Sequence, residues 1–171
     1  MATGYEVMEK DWFKEMAPAS PNVITALQLE RIISATGPTE GKLLRPSDHE
    51  KPHTITFVSC MGSRDENFHT YCSRFCCMYM IKQARLLKEK YPDLVINMHF
   101  IDVRAAGKGY DEYYTGARKM GINFFKGKVG WLELLPEDKL RVLAYDMEGG
   151  EKIEYASGLV VLATAVELPK D

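Results

Sequence analysis

Apolar residues follow two different patterns along this chain. From residue 54 onward, continuous or alternating apolar runs, which are typical of strands, are separated by segments with the three-to-four-residue apolar spacing of helices. The predicted strands are residues 54–60, 94–103, 122–129, 139–147, 150–158 and 158–165, and the predicted helices are residues 71–91 and 109–121. The final run, GLVVLATA, is almost entirely apolar, which indicates a strand buried on both faces.

The order of these elements predicts the fold class. Alternating strands and helices, then a β-meander with a Glu-Gly-Gly hairpin turn, then a buried strand predict an α/β domain with a mainly parallel central sheet. We expect this Rossmann-like, three-layer domain to occupy residues 54–171, after a linker and helix region at residues 1–53.

The upstream region contains one further pattern. Residues 20–37, SPNVITALQLERIISATG, have helical apolar spacing, with Ser20 or Asn22 as the expected N-cap and Gly37 at the end. The prolines and glycines of residues 36–53 indicate a loop.

Composition and charge narrow the class of protein. With 46% hydrophobic and 27% charged residues, the chain has the composition of an ordinary globular protein, and its net charge of −2 gives no reason to expect nucleic acid as a partner. No apolar run approaches the roughly 18 to 20 residues of a membrane span, and residues 1–12 lack the features of a signal peptide. We therefore expect a cytoplasmic, reducing location, where cysteines serve as ligands or redox groups rather than disulfides.

All four cysteines lie within eighteen residues, with the spacing C-x11-C-x3-C-C. Cys60 ends a predicted strand, at the edge where parallel sheets bind ligands. Cys72 and Cys76 would share one helix face, whereas Cys77 would point about 100° further round. The start of the helix would therefore have to unwind for all four thiols to meet.

Three interpretations of this cluster compete. A structural zinc site usually contains two C-x2-C pairs, which adjacent cysteines fit poorly. Free cysteines are common in protein cores, but four so close together are less easily explained in that way. An iron–sulfur cluster needs four thiolates that are shielded from water, and a strand end with a helix start can supply them.

Three segments around the cysteines resemble a known family. They are CMGSRD (60–65), YCSRFCCMYMIK (71–82) and DVRAAGKGYDEYY (102–114). These segments are similar to motifs of HdrA, the iron–sulfur flavoprotein of heterodisulfide reductase, and the similarity runs from about residue 20 to the end. It implies that the chain is a fragment that covers the thioredoxin-reductase-like region of an HdrA protein.

The resemblance implies two cofactors. In that family the four corresponding cysteines hold a [4Fe-4S] cluster near an FAD, which sits in a pair of dinucleotide-binding domains. The residues ATGYE (2–6) and VVLATA (160–165) look like the crossings between those domains, so that residues 1–53 include a remnant of the flavin-domain crossing and the α/β domain takes the place of the nicotinamide domain. Lys82 matches a family lysine expected near the flavin N5.

The first strand of a dinucleotide-binding domain ends in G-x-G-x-x-G, where phosphate meets a helix start. Here that position reads CMGSR, so we expect the cluster to replace the pyrophosphate and Gly62, Ser63 and Arg64 to lie against the cofactor. Arg64 and Arg74 flank the cysteines, where they would either offset the negative charge of a thiolate-bound cluster or serve only as surface charges. Ser63 and Ser73 would donate hydrogen bonds to its sulfurs.

The implied function is electron transfer. The chain would pass electrons between an FAD held mainly in other parts of the full-length subunit or complex and the iron–sulfur centres of partners, and we do not expect it to be catalytic in isolation. The implied partners are other heterodisulfide reductase subunits, electron-transfer subunits of hydrogenase or formate dehydrogenase, and ferredoxin, in methanogenesis and related anaerobic metabolism. A homodimer is a further option that the resemblance allows.

Two other functions stay open at this stage. The chain could be a non-catalytic assembly module whose cysteines bind zinc or nothing. It could also be a residual pyridine nucleotide-disulfide oxidoreductase that uses Cys76 and Cys77, although a disulfide between adjacent cysteines is strained. Among the histidines, only His69 lies near enough to Cys72 in sequence to be considered as a ligand, and we do not expect it to be one.

Overall fold

A five-stranded parallel sheet forms the centre of the computed structural model, which describes residues 4–169. In spatial order its strands are β2 (Val23–Thr25), β9 (Leu159–Thr164), β3 (Thr54–Met61), β4 (Val95–Phe100) and β5 (Asn123–Lys126). All six residues of β9 are buried, because this strand lies between β2 and β3. The predicted α/β fold with a parallel central sheet is confirmed.

The two faces of the sheet are covered by different layers. The helices α1 (Ala26–Ile33), α2 (Cys76–Lys90) and α3 (Tyr110–Lys119) pack on one face, and the antiparallel strands β6 (Val129–Leu134), β7 (Leu140–Asp146) and β8 (Glu151–Ser157) pack on the other. Along β9, Val161 points to the helices and Leu162 points to the antiparallel strands. Burial of one such side chain contributes about 1.5–3 kcal/mol.

A short antiparallel ribbon lies at the carboxyl end of β3. It consists of β1 (Glu6–Val7) and β10 (Val166–Glu167). Ala165, between β9 and β10, donates its N–H to the carbonyl of Met61 at 2.7 Å and accepts from the N–H of Met8 at 2.8 Å. The ribbon is therefore fixed beside the end of the strand that carries Cys60.

The apolar spacing of residues 20–37 predicted a single helix, and this prediction is wrong. The residues VIT form β2, and Thr25 is the N-cap of α1. Thr25 Oγ1 accepts from the N–H of Gln28 at 3.3 Å, and Gln28 Oε1 accepts from the N–H of Thr25 at 2.8 Å, which is a capping box. The expected caps, Ser20 and Asn22, lie before β2, and the helix ends at residue 33.

Two other boundaries differ from the sequence prediction. The helix predicted from residue 71 begins at Cys76, and the strand predicted at residues 122–129 is β5 followed by the start of β6. Gly127 makes the turn between them with a φ of +154°, and a Cβ there would lie 2.1 Å from the carbonyl oxygen of Tyr145. The close approach of this backbone requires glycine.

The division of the chain after residue 53 stays a prediction. β2 belongs to residues 1–53, yet it is an edge strand of the sheet whose other strands lie in residues 54–171. Residues 2–3 of the expected N-terminal crossing, and residues 170–171, lie outside the described residues. Between residues 4 and 169, no helix has the length and apolar character needed to cross a bilayer.

A buried polar cluster lies between the parallel sheet and the antiparallel strands. His99 Nε2 is 2.8 Å from Tyr155 Oη, and the His99 ring stacks on Phe125 at a centroid distance of 5.2 Å. Thr56 Oγ1 is 3.2 Å from the same Tyr155 hydroxyl. Among the described residues, His99 Nδ1 has no hydrogen-bond partner. Burial lowers the pKa of His99 to about 4 and raises the pKa of Tyr155 to about 12.

Candidate metal centre

The four cysteines come from three consecutive pieces of the chain. Cys60 is near the end of β3, Cys72 lies in the cysteine loop (residues 62–75), and Cys76 and Cys77 open α2. All four are free thiols, and only Cys72 is partly exposed. Because residues 71–75 are not helical, Cys72 is not confined to the face of α2 that carries Cys76.

The ionisation of Cys60, Cys76 and Cys77 depends on the neighbouring thiols. Burial raises the pKa of Cys60, and the proximity of Cys77 and Cys72 adds to this effect. The pKa of Cys76 is raised by its hydrogen bond to Cys77 and further by burial. The pKa of Cys77 is lowered because its sulfur accepts that bond and the N–H of Arg104. The thiols therefore form one electrostatic group.

The backbone around these cysteines adopts a conformation that costs free energy. Cys60, Arg64 and Arg74 have φ values of 58°, 56° and 71°, a left-handed region that costs a non-glycine residue about 1 kcal/mol. Such backbone strain concentrates at binding and catalytic sites. Gly62 has a φ of +75°, and a Cβ there would lie 2.6 Å from Met8 Sδ, so this position accepts only glycine without rearrangement.

Four cysteine thiols are the donor set that an iron–sulfur cluster takes. Among the residues that the structure describes, no three His, Cys, Asp or Glu side chains are arranged to bind one metal ion. Each iron of a cubane takes one thiolate, so its four cysteine sulfurs surround a cage wider than one ion. Four thiols on a strand end, a loop and a helix start are chemically suited to such a cage.

Arginine side chains meet one carboxylate beside the thiols. Arg64 forms an ion pair with Asp102, and Arg104 Nη2 lies 3.4 Å from Asp102 Oδ2. The carbonyl oxygen of Asp102 is 3.8 Å from Cys77 Sγ. Through Arg64 and Asp102, the cysteine loop is thus joined to the segment after β4, beside Cys77.

The serines and His69 have contacts that the sequence did not predict. Ser63 Oγ and Ser73 Oγ lie 2.7 Å apart, and Ser73 Oγ accepts from the N–H of Val166 at 3.1 Å. His69 Nε2 is 2.7 Å from Glu167 Oε1. No local signal could have revealed the contacts of Ser73 and His69 with β10, because β10 lies more than ninety residues further along the chain.

Lys82 lies on α2, outside the range of the cysteine loop. Its ammonium group is 2.5 Å from Glu30 Oε1, and Gln83 Nε2 donates to Glu30 Oε2 at 2.8 Å. Lys82 also borders an open groove of about 450 Å³. The other residues that line this groove are Met78, Tyr79, Lys108, Gly109, Tyr110 and Tyr113. Sequence analysis identified Lys82 but not its carboxylate partner.

A comparison with solved structures identifies the fold. The chain is similar to L-lysine 6-monooxygenase from Pseudomonas syringae, with a TM-score of 0.60, 8% identity, and coverage of 98% of this chain and 45% of that one. This likeness concerns the fold alone, which is the Rossmann-like α/β fold of such enzymes. No family model matched the chain.

Sequence relatives are more specific. Over its full length, the chain is 58% identical to an HdrA-like protein of heterodisulfide reductase from Archaeoglobus profundus. The matched segment is 27% of that relative. The chain is 42% identical, over 99% of its length, to 26% of the HdrA component of the H(2):CoB-CoM heterodisulfide,ferredoxin reductase from Methanothermobacter marburgensis. The chain is therefore homologous to one segment of heterodisulfide reductase HdrA proteins, as its cysteine motifs had predicted. It spans about a quarter of the length of these curated relatives.

Proposed function

We propose that this chain is the electron-transfer segment of a heterodisulfide reductase HdrA-type protein, in which Cys60, Cys72, Cys76 and Cys77 hold a [4Fe-4S] cluster. The observation that carries this proposal is the grouping of four free thiols at the end of β3, in the cysteine loop and at the start of α2, where Cys60 feels the charges of Cys72 and Cys77. The relative from Methanothermobacter marburgensis is named as a reductase of a heterodisulfide and ferredoxin, which supports an oxidoreductase role.

When bound, such a cluster accepts or releases one electron at a time. The chain's own residues prepare the thiolates for it. The N–H of Arg104 lowers the pKa of Cys77, and the N–H of Arg74 donates to Cys72 Sγ at 3.3 Å. Arg64 lowers the pKa of Cys60, against the larger opposing effect of burial. The lowering effects prevail at Cys77, whose pKa lies below the ordinary value of a thiol, whereas burial keeps the pKa of Cys60 raised.

The position of Gly62, Ser63 and Arg64 supports the proposal that they lie against the cofactor. They directly follow β3, at the carboxyl end of the sheet, where α/β proteins bind ligands. The ion pair of Arg64 with Asp102 leaves less of its charge to offset that of the cluster. Arg104, in the segment after β4, is the additional cation near Cys72 and Cys77.

We extend the proposal to FAD at the groove beside Lys82. Its aromatic and cationic lining suits a planar, anionic ligand, and the ammonium of Lys82 would stabilise an anionic flavin. FAD fluorescence should therefore be quenched on titration with the chain, and Lys82→Met should weaken this binding about tenfold, as the loss of one charge-assisted contact predicts. Lys88→Met, further along α2, is the matched control and should bind as the wild type does. Equal affinity in both variants would remove Lys82 from the flavin site.

The proposed partners are those named for the family: other heterodisulfide reductase subunits, the electron-transfer subunits of hydrogenase or formate dehydrogenase, and ferredoxin. One relative, from Methanosarcina acetivorans, is named as ferredoxin- or F(420)H(2)-dependent, and another, from Methanothermobacter marburgensis, as a ferredoxin reductase, which supports an exchange of electrons with ferredoxin.

Metal analysis of the purified chain tests the proposed function. After anaerobic reconstitution with iron and sulfide, we expect about four iron atoms and four acid-labile sulfides per chain, and an EPR signal after reduction with dithionite. Zinc at one equivalent, or no metal, would overturn the proposal and support the assembly-module alternative. Cysteine thiols bind metal only after they lose their protons. Reconstitution at two pH values should therefore give more bound iron at the more alkaline pH.

A further inference from the structure

The cysteine loop is bonded to β10 at several points. Tyr71 Oη donates to the carbonyl oxygen of Val166 at 2.8 Å, and the N–H of Val166 donates to Ser73 Oγ at 3.1 Å. One residue further, Glu167 meets His69 at 2.7 Å. Both backbone polar groups of Val166 are thus bonded to side chains of the cysteine loop. β10 in turn pairs with β1.

Ser73 is the central residue of these contacts. It follows Cys72 directly and is buried, with 8% of its surface exposed. Its hydroxyl bonds to Ser63 Oγ at 2.7 Å, and the N–H of Ser63 donates to the carbonyl oxygen of Cys60 at 3.2 Å. A continuous chain of hydrogen bonds therefore runs from Cys60 through both serines to Val166. It joins the two cysteines that lie outside α2 to the ribbon.

We propose that Ser73 is a positioning residue of the cysteine site, which holds Cys72 in place by bonding its loop to β10. The proposal rests on the proposed function where it concerns the bound cluster, but the bonding itself does not require a metal. Since coupling between two sites is reciprocal, occupancy of the cysteines should also protect the ribbon. The amide of Val166 should exchange more slowly in the loaded chain than in the metal-free chain.

Iron release from the reconstituted chain tests the role of Ser73. We expect Ser73→Ala to release iron to ferrozine about tenfold faster, which corresponds to about 1.4 kcal/mol and to the loss of one or two hydrogen bonds. Ser73→Thr, which keeps the hydroxyl, should restore the slow release. Ser157→Ala is the matched control, because Ser157 is also buried and hydrogen-bonded but belongs to β8 rather than to the loop. Equal release rates in the Ser73 and Ser157 alanine variants would overturn the proposal.

A second measurement is independent of the metal. In the metal-free chain, alkylation by iodoacetamide is mapped by mass spectrometry. The measured ratio is the alkylation rate of Cys60 or Cys72 divided by that of Cys76, and Ser73→Ala should raise this ratio about tenfold. Tyr71→Phe, which removes only an exposed hydroxyl, should shift this ratio in the same direction even where the serine variant folds poorly. An unchanged ratio in both variants would overturn the role of Ser73. Failure of the wild-type chain to take up iron, together with shifted ratios in the two variants, would contradict the proposed function alone.

Discussion

Replacing Cys76 with serine should abolish iron binding while the chain stays folded. Cys76 is buried at the first position of α2, and its free thiol is hydrogen-bonded to Cys77. Serine is close to cysteine in size, but its hydroxyl is a poor ligand for iron, so the cage would lack one of its four thiolates. We expect the iron content after reconstitution to fall from about four atoms to fewer than one per chain.

Two further variants sharpen this test. Cys76→Ala should lose iron to the same extent, which separates the missing thiolate from any effect of a new hydroxyl. Leu86→Ser, at an exposed position of the same helix, should retain the iron content of the wild type. Far-UV circular dichroism and thermal unfolding check that the variants keep their fold. A Cys76 serine variant with four irons would show that this cysteine is not a ligand.

Acidification from pH 6.5 to pH 4.5 should destabilise the chain through His99. The buried ring favours its neutral form, and its folded-state pKa of about 4 lies below the unfolded value of 6.5. The stabilisation is therefore complete above pH 6.5 and is lost as the pH falls, since the unfolded chain binds a proton that the folded chain excludes. The full difference of about 2.5 pKa units corresponds to about 3 kcal/mol, of which most is lost by pH 4.5.

Urea unfolding of wild type and His99→Gln at several pH values measures this effect. The glutamine amide can bond to Tyr155 Oη but does not titrate, so the variant should lose little stability in that range. Asp146 is the charged group that opposes the shift, and the carboxylates whose pKa values are lowered, such as Glu30, lose their contribution at more acidic pH. The same slope in both proteins would contradict the role of His99.

The hydrophobic pattern predicted the centre of the sheet better than its edges. β3, β4 and β9 are apolar at most positions because both faces are covered, and this signal survives in the sequence alone. β2 has only three residues, and they fit the apolar spacing of the helix that follows. Only its pairing with β9 identifies it as a strand, and that contact is distant in sequence.

The candidate site shows the same division between local and distant information. The residue type and spacing of the cysteines predicted a group of four thiols, and the need for an unwound helix start was anticipated from the angle between Cys76 and Cys77. The left-handed backbone of Cys60 and the bonding of Ser73 to β10 were not predicted. They depend on how the loop meets strands that are far away in sequence, which no local pattern records.

The position of β9 has a consequence for the order of events during synthesis. β9 is the last strand of the parallel sheet to leave the ribosome, yet it lies between β2 and β3. Until residues 159–164 emerge, both of these strands have an open edge, and such non-local pairing is slow to form. The contacts of Ser73 and Tyr71 with β10 come later still. The cysteine loop therefore forms all of its hydrogen bonds only after residue 167 has emerged. Metal delivery should follow synthesis of this whole segment.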